Sequence, residues 1–175
     1  MTTLIVIAVV LVALGWAYRT ANRLDRLNVR VDLARRSLES ALERRSVVAR
    51  AIAAWMSTAT GDTGPDDAIR EAGRELAAAA DRAEHAAGEE REDAENAVSA
   101  ALARTDTGER PAALADELAD AQARIMIARR FYNDAVRDTR ALAERRPVRW
   151  LHLGGTAGLP RYFEIAEVLA AGGRG

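Results

Sequence analysis

Met1 to Tyr18 carry no charged side chain, whereas charge is dense in most of the chain that follows. Residues 4–18 read LIVIAVVLVALGWAY, apolar on every face, and Arg19 ends the run. From Thr20 to about Ser57 there is no Gly and no Pro. Leu24, Leu27, Val31, Ala34, Leu38, Ala41, Arg45, Val48, Ile52 and Trp55 recur there at spacings of three and four. That is the stripe of one long helix with a single buried face. A second stripe, nearly all Ala, runs through Ile69, Ala72, Leu76, Ala79, Ala83, Ala86, Ala94, Ala97 and Ala101. A third runs through Leu114, Leu118, Ala121, Ile125, Ala128, Tyr132, Ala135, Thr139 and Leu142.

Gly61, Gly64 and Pro65 separate the first stripe from the second, and TDTGERP (residues 105–111) separates the second from the third. Pro65 and Pro111 suit a first helical position, and Asp66 and Asp67 suit the positive end of a helix dipole. Pro147 is expected to end the third helix. Gly73 and Gly88, each costing up to about 1 kcal/mol relative to Ala, make the second helix the weakest, with fraying near Gly88.

These patterns predict an all-α fold. Residues 1–18 form a transmembrane anchor continuing into an up-down antiparallel bundle of three long helices over residues 19–146. A Gly- and Pro-containing C-terminal segment, 147–175, carries a short helix over Tyr162–Ala171. Up, down and up leaves the tail roughly 50 Å from the bilayer, so its Trp and Arg residues are not expected to touch it. Trp150, Leu151, Leu153, Tyr162 and Phe163 either cap the bundle end, the preferred reading, or form an exposed partner patch.

Fifteen apolar residues span roughly 23 Å against a hydrocarbon core of about 30 Å. Trp16 and Tyr18 at the border and a snorkelling Arg19 extend that reach. A cleaved signal would call for a basic stretch before the run and a small-residue cleavage site, and neither is present. A buried core helix would need apolar neighbours to wrap it. The lipid bilayer, through residues 4–18, is therefore the expected partner of this segment. Arg19, Arg23, Arg26 and Arg30 all follow the run, which predicts the N-terminus outside and the body in the cytoplasm, at the cell membrane.

All 25 basic residues are Arg, the net charge is −1, and both signs are interspersed, so no basic face for nucleic acid is expected. With no Cys there is no disulfide, thiolate metal site or Cys nucleophile. His85 and His152 lie on different segments, and neither HExxH nor a Glu-x-x-His pair nor a phosphate loop is present. Glu84 and His85 are adjacent and cannot share a metal on a helix. Glu89, Glu90, Glu92, Asp93 and Glu95 surround Arg91 and read as a solvated face. Arg45 interrupts its stripe; its head either reaches solvent or a carboxylate across the bundle, or acts as a buried polar device fixing register. No catalytic residue, metal site or cofactor is inferred, and the chain is not read as an enzyme.

The most distinctive string is Arg124-Ile125-Met126-Ile127-Ala128-Arg129-Arg130-Phe131-Tyr132-Asn133-Asp134-Ala135-Val136-Arg137-Asp138. It resembles the signature of the LemA family, to which the MamQ proteins are related. An N-terminal span, Leu42-Glu43-Arg44-Arg45, Glu117-Leu118 and Tyr162-Phe163-Glu164 agree in order. Val47-Val48-Ala49-Arg50, Gln122-Ala123 and Thr139-Arg140 depart from the family's pattern. The resemblance implies a single-pass membrane protein with an antiparallel bundle of long helices, and no catalytic activity or cofactor.

On the third helix, Arg129, Arg130, Asn133, Asp134 and Arg137 flank the inward stripe as a candidate interaction surface. The expected function is a membrane-anchored interaction or scaffold module with an unidentified protein partner. The alternative is a small-ligand or signal-sensing module binding between the helices. Homo-oligomerisation through the heptad faces stays open.

Overall fold

A computed structural model describes residues 1–59, 67–105, 110–151 and 158–165. Helix takes 88% of these and no strand occurs among them, so the fold is all-α. The helices are α1 (Thr2–Ala59), α2 (Asp67–His85), α3 (Glu89–Arg104), α4 (Ala112–Ala143) and α5 (Arg146–Trp150). The predicted turn at Gly61–Pro65, Leu153 and the tail helix beyond Ile165 lie outside the described residues. Tyr162–Ile165, the described start of that tail helix, is not helical.

The chain divides into two compact units, the first taking residues 1–37 and 128–162, the second 38–127 with Phe163 onward. In the first unit, α1 opens with Met1–Trp16 exposed throughout. This helix is long and apolar enough to cross a membrane, and only 6% of its most apolar window is buried. That is not the environment of a core helix. Further along, Leu24 packs with Leu142 and Val148, Arg30 pairs with Asp138 at 3.6 Å, and Val31 packs with Ala135 and Val136. The rising numbers on α1 meet falling numbers on α4, so the two helices are antiparallel here. Residues after α4 therefore lie beside Leu24, which corrects the expectation of a tail remote from the apolar segment. Pro147 does not simply end a helix: it sits at the first turn of α5, where its missing N–H costs nothing.

In the second unit, Val48, Ile52, Met56, Leu76, Val98, Leu102 and Leu118 form the core with Ala49, Ala79, Ala80, Ala83 and Ala101. α2 runs antiparallel to α1. A Cβ on Gly73 would stand 3.3 Å from the Ala53 carbonyl oxygen and 3.3 Å from the Met56 Cβ, and farther along α2 Arg50 reaches Asp81. Gly73 is thus the contact point that lets the two backbones approach.

The expected second long helix is two helices. Residues 86–88 interrupt it, and Gly88 at φ 60° and ψ −128° is the cap before α3. An L side chain rarely adopts that conformation, so a glycine marks the reversal. α3 folds back along α2, with Arg104 Nη2 3.1 Å from Glu75 Oε2. The unit thus holds four helical segments where three were expected.

Candidate functional site

The predicted surface residues all fall on the part of α4 that belongs to the first unit. Ile125 (in the second unit), Ala128 and Ala135 are buried on the inward side, with Tyr132 half-buried. Arg130 and Arg137 are exposed; Arg129, Asn133 and Asp134 are half-buried. Arg137 bridges Asp134 at 3.1 Å and lies 3.9 Å from Asp138, which also faces Arg30 of α1. Arg129 and Asn133 have contacts of their own. The five residues therefore form one continuous, charge-alternating strip on a helix fixed by its buried opposite side. Phe131, expected beside the inward stripe, is 63% exposed on this outer side.

A second feature of this face was not read from the sequence. The segment after α5 returns along α4: the Tyr132 hydroxyl donates to the Arg161 carbonyl at 2.9 Å. Arg140 donates to the Pro160 carbonyl at 3.4 Å, and its guanidinium lies 5.9 Å over the Tyr162 ring. Tyr162 is thus held by Arg140, while Trp150 at 81% and Leu151 at 57% exposure do not cap anything. The preferred reading of the tail aromatics as a cap is corrected for these two residues.

No family model, curated protein or solved structure matches the chain. Any assignment therefore rests on this geometry.

In the second unit, Arg45 turns into the core rather than out of it. It donates to Ser99 Oγ at 3.0 Å and to the Glu95 carbonyl at 3.1 Å, and its guanidinium pairs with the Glu95 carboxylate. The other carboxylate oxygen accepts from Arg91 Nε at 2.9 Å. The side chains of Arg45, Arg91 and Glu95 are 6%, 15% and 0% exposed. Glu95 is therefore not part of a solvated acidic face, although Glu90 and Asp93 are exposed. Of the two readings of Arg45, the carboxylate across the bundle is the one found, and it is buried. Two guanidinium groups share one carboxylate, and Arg45 Nε and Arg91 Nη2 have no partner among the described residues. This triad ties the α2–α3 hairpin to α1; with its carboxylate held at both oxygens, it is a fixed charge array and not an acid–base pair.

Proposed function

We propose that the chain is a membrane-tethered, non-catalytic interaction module of the LemA type. Residues 4–18 sit in the cell membrane, the body lies on its cytoplasmic side, and the outer strip of α4 receives another protein. The observation that carries this reading is the apolar start of α1: exposed over Met1–Trp16, yet continuous in one helix with residues that build a core. Water disfavours such an exposed surface, and hydrocarbon does not. The Arg124–Asp138 string supports the family reading, since its apolar members Ile125, Ala128 and Ala135 face inward and Arg130 and Arg137 outward.

The test uses the full-length chain in cells. Carbonate washing is expected to leave it in the membrane fraction, and crosslinking is expected to capture a protein. Capture should be lost in the variant Arg129→Ala, Arg130→Ala, Asn133→Ala, Asp134→Ala while circular dichroism is unchanged. Release by carbonate would end the tethering reading, and undiminished capture by the variant would end the assignment of the surface.

A further inference from the structure

The antiparallel course of α4 carries α5 to Leu24, where Val148 is buried at 1% exposure with Leu142. Leu24 is six residues beyond Tyr18, the end of the apolar run, or about 9 Å of helix rise. With only Val148 of α5 turned inward, the rest of the short helix faces out. Arg145, Arg146, Arg149 and Trp150 are exposed, as is Leu151 just after it. None of the three arginines has a side-chain partner among the described residues. On the neighbouring part of α1, Arg19, Arg23 and Arg26 are also exposed. The acidic groups nearby in sequence are Asp25, which is exposed, and Glu144, which Arg140 already holds at 3.0 Å.

We propose that α5, with Arg19, Arg23 and Arg26 of α1, binds anionic phospholipid headgroups of the bilayer crossed by residues 4–18. The inference rests on the tethering reading, which sets the bilayer face near Tyr18. Three features then point to one occupant. The patch stands within reach of the headgroup layer. Its charge is complementary to an anionic leaflet, where each basic residue shifts partitioning about five-fold. It also pairs arginines with an exposed Trp and Leu, the combination that settles at the boundary between headgroups and acyl chains. The arginines of α5 add to those following the apolar run, so both sets favour the same side of the membrane.

The chain has no cysteine, so Leu151→Cys in the full-length protein carries a single spin label beside an intact Trp150. The labelled chain is reconstituted into phosphatidylcholine vesicles with or without phosphatidylserine, floated on a density gradient, and read for access to a water-soluble relaxant. The expected result is co-flotation with both vesicles, and loss of aqueous access only with phosphatidylserine. That loss should be reversed by high salt and absent in Arg145→Gln, Arg146→Gln, Arg149→Gln, whose helicity is checked by circular dichroism. A label that stays in water on floated anionic vesicles overturns the headgroup proposal and leaves the tether standing. Equal protection with and without phosphatidylserine also overturns it. A chain that does not float overturns both.

Discussion

Arg45 of α1 and Glu95 of α3, fifty positions apart, meet inside the core of the second unit with side chains 6% and 0% exposed. Arg91 closes the group from the first turn of α3, through Glu95 Oε1. Buried ions lose their hydration, and mutual attraction repays this only when every partner stays in place.

Removing Glu95 alone is therefore expected to be costly. Glu95→Gln leaves two guanidinium groups facing each other without a counter-charge and should cost about 3–5 kcal/mol. Replacing the whole triad, with Arg45→Met, Arg91→Leu and Glu95→Leu together, should return stability to the original level or above. Thermal unfolding of the full-length chain in one fixed detergent, followed by circular dichroism, measures both. Equal losses in the two variants would contradict this account.

The glycines separate by what surrounds them. Gly88→Ala forces a side chain into a positive-φ conformation and should cost about 1–3 kcal/mol. Gly73→Ala gains helix propensity of up to about 1 kcal/mol, but its methyl meets a backbone oxygen of α1 that cannot easily move, so little net change is expected. Gly73→Val overpacks the same contact and should lose about 1–3 kcal/mol. Urea titration of the three variants ranks them.

Arg50 lies five residues after Arg45, yet its environment differs. The hydrogen bond to Glu84 raises its pKa above the ordinary arginine value; burial works against this and Asp81 adds to it. A base whose pKa is raised on folding stabilises the fold fully below its unfolded pKa, and that contribution fades as pH climbs through the folded one. For an arginine this window lies in strong alkali, so no loss near neutrality is traceable to Arg50. The pair is largely solvent-exposed, so Arg50→Gln should cost at most about 1 kcal/mol. The difference from the unsubstituted chain should shrink when melting is repeated at high salt.

On the outer strip of α4, stability and recognition should come apart. Arg137→Ala removes an exposed ion pair with Asp134 and should change stability by no more than about 0.5 kcal/mol. If this strip is where a partner lands, the same substitution weakens crosslinked capture without moving the melting temperature. A parallel fall in both would mean that Arg137 serves the fold instead.

Much of the architecture was legible because burial along a helix repeats every three or four residues. On α1, Leu24, Val31, Leu38, Ala41, Val48 and Ile52 are buried as their spacing required, and on α4 so are Leu118, Ala121, Ile125, Ala128, Ala135, Thr139 and Leu142. The hairpin between α2 and α3 was hidden by its composition. Alanine on both sides of Gly88 keeps a helical rhythm, and only the missing apolar position between Ala86 and Ala94 marked the break. With that reversal unread, the direction of α4 was also misread, and with it the place of Trp150. The partner of Arg45 was beyond reach for a related reason: a charge pattern shows which residues carry charge, and only the turn at Gly88 decides which carboxylate enters the core. Of the candidate surface, the positions were legible from helix phase; the tail segment lying on Tyr132 and Arg140 was not, since no periodicity governs it.

The alanine seam has a consequence for how this protein yields to denaturant. Ala79, Ala80, Ala83 and Ala101 surrender no rotamer freedom when they are enclosed, and they hide little hydrocarbon in doing so. Opening the hairpin would wet correspondingly few methyl groups. Because the slope of unfolding free energy against urea, and the accompanying heat-capacity rise, both scale with newly wetted surface, this region should respond more shallowly than a leucine-filled bundle of equal length.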